Sequence, residues 1–184
     1  MPQNKIKPAL LVLPVLSAAV LLTGCSAVAA IGGGPDLDHD AAQGGVPEGV
    51  TITPFDVRYP AVGNLDPDLR KAVQEAASAA RERNIEFRVT SGWRTKAYQQ
   101  KLLDDAVDKY GSLDKARRYV STPEESKHVS GKAVDIGPTN ADDWLIQHGK
   151  KYGLCQVYSN EMWHFELLAE RGGACPPLLS NAAG

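Results

Sequence analysis

Ser126-Lys127-His128-Val129-Ser130-Gly131-Lys132-Ala133-Val134-Asp135-Ile136 joins a polar loop to a short strand. Residues 121–128, Ser-Thr-Pro-Glu-Glu-Ser-Lys-His, are polar and broken by proline, which reads as a surface loop. From Lys132 to Ile136 the side chains alternate, with Ala133 and Asp135 on one face and Val134 on the other. A second stretch, Glu161-Met162-Trp163-His164-Phe165, enters the second arm of a hairpin formed by Leu154–Tyr158 and Trp163–Leu167 around Ser159-Asn160. His128 where the loop meets its strand, Asp135 within that strand and His164 at the start of a neighbouring one can converge on a single ion. A catalytic zinc takes three nitrogen or oxygen ligands from protein and keeps a fourth position for water, and two histidines with one aspartate meet that count. Metal-assisted hydrolysis also needs a base that does not bind the metal. Glu161, three residues before His164, is the candidate. The residues alone leave a second reading open, in which the histidines are structural and Asp135 caps a turn, because short patterns recur by chance.

Outward from these stretches the chain reads as helices and strands that do not repeat as βαβ units. Asp66–Asn84 opens with an Asp-Pro start signal and places Leu69, Val73, Ala76, Ala77 and Ala80 on one helical face. Ile85–Thr90 alternates Ile85, Phe87 and Val89 with charged residues, as a half-buried strand does. Lys96–Tyr110 spaces Tyr98, Leu102, Leu103 and Val107 as a helix, and a shorter helical piece is expected over Leu113–Val120. Ala141–Tyr152 is the last expected helix, with Asn140 as its cap and Gly153 as its stop. The fold class is therefore α+β, a small and mainly antiparallel sheet with flanking helices. His39 and His148 read as solvated, and Trp93 and Trp163 as core residues.

Ser91-Gly92-Trp93-Arg94-Thr95, Ser126-x-His128-x-x-Gly131-x-Ala133-x-Asp135 and Glu161-x-Trp163-His164-Phe165 occur in that order. Together they resemble the zinc D-alanyl-D-alanine carboxypeptidases of the VanY type, peptidoglycan-trimming metallopeptidases that share their fold with the hedgehog signalling domain. The likeness runs from about Ile85 to Leu168. It implies a zinc held by His128, Asp135 and His164, with Glu161 as catalytic base. It further implies that Arg94 stabilises negative charge on substrate or intermediate, a part suited to a guanidinium that is always charged. The family's substrate-lining positions correspond to Gln99, Ser126 and Tyr158, and all match in residue type. Two positions depart: Val157-Tyr158 stands where an Arg-Tyr pair is frequent, and Glu166 where a basic residue often follows Trp-His-Phe. Neither is a ligand or the base, so the departures bear on substrate preference.

The chain's 184 residues suit one domain plus its extensions, and a formal charge of -2 gives no basis for nucleic-acid binding. Lys5 and Lys7 precede an apolar run over 8–22, which is of signal-peptide length and ends in Leu22-Thr23-Gly24-Cys25. This ending resembles a bacterial lipobox, so residues 1–24 are expected to be removed and Cys25 to carry lipid. Cleavage deletes two lysines and no acid, leaving 18 basic against 22 acidic residues, a charge of -4. Residues 25–53 are rich in Gly, Ala, Asp and Pro and read as a flexible tether with a reach of roughly 25 to 30 Å. The catalytic domain is placed at 54–177, with a tail at 178–184. Export to an oxidising compartment makes a Cys155–Cys175 disulfide plausible beside the alternative of two buried thiols, and closing that loop would stabilise by roughly 3 kcal/mol.

The expected protein is an exported, lipid-anchored zinc carboxypeptidase, bound to the bacterial membrane and facing the cell wall. It is expected to act as a monomer on the D-alanyl-D-alanine end of peptidoglycan stem peptides. Two other readings stand beside it: an L,D-carboxypeptidase or endopeptidase on the same scaffold, and a hedgehog-like binding module without catalysis.

Overall fold

The computed structural model of the protein describes residues 39–183; the leader read over 1–24 and the lipid site Cys25 lie outside them. In chain order the elements are α1 (His39–Ala42), α2 (Pro60–Gly63), α3 (Pro67–Arg81), β1 (Arg88–Ser91), α4 (Lys96–Tyr110), α5 (Leu113–Ala116), β2 (Ala133–Gly137), α6 (Thr139–His148), a 3-10 turn (Gly149–Tyr152), β3 (Leu154–Tyr158) and β4 (Glu161–Leu167). The strands form one antiparallel sheet in the order β1-β2-β4-β3. The α+β class read from the sequence holds.

Strand pairing separates the two faces of the sheet. In the β2–β4 pair Val134 lies opposite Phe165, and both are fully buried in the main core. α3 covers that core with Leu69, Ala72, Val73, Ala76, Ala77 and Ala80, and α6 adds Ala141, Trp144 and Leu145. The alanine-rich stripe lets α3 approach closely, and Asp66 starts the helix by accepting from the Asp68 and Leu69 amides at 2.9 and 3.3 Å. The flanking registers place Asp135 opposite His164 and Ala133 opposite Glu166, all on the face turned away from Val134 and Phe165. α4 and α5 pack on each other through Leu103, Ala106 and Ala116, a second small core.

Several boundaries move from those read in the sequence. α6 begins at Thr139, with Pro138 in the cap position, and ends at His148, after which residues 149–152 tighten before Gly153 turns the chain at a φ of 81°. β4 begins at Glu161, so the candidate base lies within the strand. His148 is half-buried: its Nδ1 lies 2.9 Å from the Trp144 carbonyl and its ring stacks on that indole.

The larger difference concerns the ends of the domain. Much of the segment read as tether is folded: Ile52 is buried in the core, and its carbonyl accepts from Val89 N at 2.9 Å. The Gln43 carbonyl accepts from Thr95 N, and the Gln43 side chain from Thr95 Oγ1, so residues beside α1 hold the start of α4. Gly44 lies so close to Trp93 that a side chain there would meet the Trp93 carbonyl. Composition suggested flexibility, whereas Gly44 serves close packing. The tail also joins the fold, because Leu179 pairs with the edge of β3, exchanging bonds with Val157 and Ser159 at 2.9 Å each. A disulfide between Cys155 and Cys175 anchors the chain just before that segment.

Candidate active site

The site forms at one end of the β2–β4 pair. Because Asp135 and His164 are register partners, their side chains meet directly: His164 Nδ1 lies 3.1 Å from Asp135 Oδ1. His128 arrives from the preceding loop with Nε2 at 3.4 Å from Asp135 Oδ1 and 3.3 Å from His164 Nδ1. Two glycines make this approach possible. Gly131 adopts a φ of 71°, and a side chain there would strike the Asn64 carbonyl, so the loop turns tightly against the start of α3. Gly92 lies against the Ala61 carbonyl with no room for a side chain, and its own carbonyl oxygen is 2.9 Å from His128 Nδ1.

These contacts orient both imidazoles. His128 Nδ1–H donates to the Gly92 carbonyl, leaving the Nε2 lone pair facing Asp135. His164 sits between two carboxylates, Nε2 at 3.1 Å from Glu166 Oε1 and Nδ1 at 3.1 Å from Asp135 Oδ1, so a cation beside Asp135 would take the Nδ1 lone pair while Nε2–H donates to Glu166. Nε2 of His128, Oδ1 of Asp135 and Nδ1 of His164 thus face one point, an arrangement suited to a bound cation. Bond lengths of about 2.0 to 2.2 Å and tetrahedral angles place zinc ligands about 3.3 to 3.5 Å apart. The donor separations here, 3.1, 3.3 and 3.4 Å, fit one face of such a tetrahedron. Among the described residues this is the one cluster of His, Cys, Asp and Glu with that convergence.

Electrostatics agree with the geometry. Burial lowers the pKa of His128 and keeps its ring neutral, as a metal ligand must be. Burial opposes the charging of His164 too, but Asp135 and Glu166 outweigh it and raise its pKa to about 9, a negative field that serves a bound dication equally. Burial works against ionised Asp135, yet the two histidines hold its carboxyl well below the usual carboxylate range.

Glu161 behaves differently. Its Oε2 is 4.0 Å from His164 Nδ1, outside ligand spacing, and its Oε1 is buried without a partner. Burial foremost, with Asp135 adding, pushes its pKa up to about 7, where a carboxyl can both take and return a proton near neutrality. Arg94 is a second incompletely bonded group, its Nε buried without a partner. Tyr158 is pushed up to about 12, chiefly by burial and then by Glu166 and Glu161, so it remains a phenol able to donate.

Every site residue read from the sequence, Arg94, Gln99, Ser126, His128, Asp135, Tyr158, Glu161 and His164, lines one cleft of about 250 Å³. Gln99 is fixed at both ends: its Nε2 donates to the Ser121 carbonyl at 2.8 Å and its Oε1 accepts from Ser126 Oγ at 3.0 Å. It therefore holds the 121–126 loop in place, and Ser126, having donated its hydroxyl proton, offers acceptor capacity. Of the two tryptophans, Trp93 packs on the core as expected, whereas Trp163 is 43 % exposed and lines the cleft, which corrects its reading as a core residue. Sequence reading also missed Ala182 in the cleft wall, because nothing in its composition marks the tail as folded.

Residues 63–170 match the VanY family, described as D-alanyl-D-alanine carboxypeptidase, which covers more than half of the sequence and every ligand of the cluster. The chain belongs to the VanY family. It is 28 % identical over an alignment of 142 residues to the D-alanyl-D-alanine carboxypeptidase of Enterococcus faecalis (strain ATCC 700802 / V583), covering 60 % of this chain and 52 % of that protein. The chain thus spans about half the length of the curated relatives it matches. Among solved structures, VanYB in complex with D-alanine-D-alanine is 26 % identical with a TM-score of 0.54, covering 57 % of this chain and 72 % of that one. The vancomycin-resistance D,D-pentapeptidase VanY of a VanB-type cassette, in complex with Zn(II), is 25 % identical with a TM-score of 0.54, covering 57 % and 73 %. The expected fold, that of the hedgehog-like D,D-peptidases, is the one these VanY neighbours share.

Proposed function

We propose that this protein is a zinc-dependent D-alanyl-D-alanine carboxypeptidase that removes the terminal residue of peptidoglycan stem peptides. The observation that carries this reading is the convergence of His128, Asp135 and His164 with Glu161, whose Oε1 is buried without a partner, and Arg94, whose Nε is likewise unpartnered, on one cleft. Membership of the VanY family and likeness to a structure holding D-alanine-D-alanine supply the substrate class.

His128 Nε2, Asp135 Oδ1 and His164 Nδ1 would hold the ion. Zinc in such a site lowers the pKa of water toward roughly 7 and polarises the scissile carbonyl. Glu161 takes the proton of the attacking water on its carboxylate and returns it to the leaving amine, a cycle suited to a group with a pKa of about 7. The Arg94 guanidinium meets the negative charge of the substrate carboxylate or of the developing oxyanion, and its free Nε–H lacks a competing partner. Tyr158 donates from its hydroxyl, and Ser126, whose own proton goes to Gln99, offers its oxygen to a substrate amide N–H.

Defined muropeptides test the substrate assignment. A pentapeptide stem ending in D-alanyl-D-alanine should lose one alanine by mass while the tetrapeptide persists. Loss from the tetrapeptide alone would move the protein to L,D-carboxypeptidase, and cleavage within the stem to endopeptidase.

We further propose that the protein is exported and lipid-anchored through Cys25, on the basis of the Lys5/Lys7 start, the apolar run and Leu22-Thr23-Gly24-Cys25. Cells fed a clickable fatty acid should label the wild type at the membrane, and Cys25→Ser should abolish that label and release the protein. Unchanged labelling of Cys25→Ser would remove the anchor from the account.

A further inference from the structure

We propose that Glu166 is a positioning residue of the metal centre, a part that rests on the zinc reading above. It lies two residues beyond His164 on β4, so both side chains stand on the same face of the sheet. Glu166 is only 5 % exposed, and its Oε1 receives His164 Nε2–H at 3.1 Å. Directly opposite, Ala133 is fully buried and too small to contest the space that the carboxylate occupies.

The arrangement does two things. It fixes the His164 ring so that Nδ1 presents its lone pair beside Asp135 Oδ1 and His128 Nε2. It also places a third carboxylate in the cluster. Among the described residues the ion-pair partner of Glu166 is His164, so no lysine or arginine compensates it instead. The other ligand ring is held differently, since His128 donates to the neutral carbonyl of Gly92. A carboxylate behind one metal-binding histidine orients the ring and strengthens it as a ligand, and removing such a partner typically weakens metal binding about 10- to 100-fold.

The test measures zinc affinity of the whole protein by competition with a chromophoric chelator, after stripping wild type, Glu166→Gln and Glu166→Leu. Glu166→Gln keeps an acceptor and removes the charge, and should bind zinc about 10-fold more weakly; Glu166→Leu removes both and should lose about 100-fold. Melting of the stripped proteins separates a folding defect from a metal effect, because only zinc-dependent stabilisation should fall. If Glu166→Leu does not fold, the glutamine variant decides. Wild-type affinity in either folded variant would overturn the positioning role while leaving the zinc reading intact. A wild type that takes up no zinc would overturn both.

Discussion

Glu161→Gln is expected to lower kcat by about 10²- to 10⁴-fold while zinc remains bound in full amount. The wild-type Oε1 is buried with no partner, so the protein tolerates an uncompensated carboxyl oxygen beside the ligand cluster. Glutamine preserves shape and volume but cannot accept the proton of water or hand it to an amine. Because Glu161 Oε2 stands 4.0 Å from His164 Nδ1 and outside the triangle of ligands, its loss should leave the metal in place. Steady-state kinetics on a peptide ending in D-alanyl-D-alanine, paired with metal analysis of the same sample, gives both numbers. Turnover within a few-fold of wild type would show that another group moves the proton.

His128→Ala should abolish zinc-dependent stabilisation together with activity. A ligand present at about 1,000 times its Kd stabilises the native state by about 4 kcal/mol, which for a domain of this size raises Tm by about 10 °C. Wild type should show a shift of that order between stripped and zinc-saturated protein, whereas the variant should melt at one temperature in both. A comparable zinc-induced shift in His128→Ala would mean that the metal sits elsewhere.

The site was legible in the sequence because its chemistry is written locally. The spacing of His128, Gly131, Ala133 and Asp135 carries a turn, a strand and a ligand face at once, and the antiparallel register then brings His164 onto Asp135. Arg94 followed from its motif, but the reason for Gly92 beside it emerged only in three dimensions, where the backbone meets Ala61 and the carbonyl orients His128. Residues 39–53 and 178–183 were misjudged because their order depends on long-range partners such as Val89, Thr95 and Val157, which composition does not reveal. Glu166 is the most instructive case. Against the family pattern it reads as a departure bearing on substrate preference, although two-residue periodicity from His164 already places it on the same face as that histidine.

The measurement closest to the central claim follows release of free D-alanine from a pentapeptide stem by wild-type protein, before chelation, after chelation and after zinc is restored. Release of one D-alanine per stem, its loss with the chelator and its return with zinc are the expected results. Release that persists in stripped protein, or no release from the zinc-loaded protein, would contradict the account.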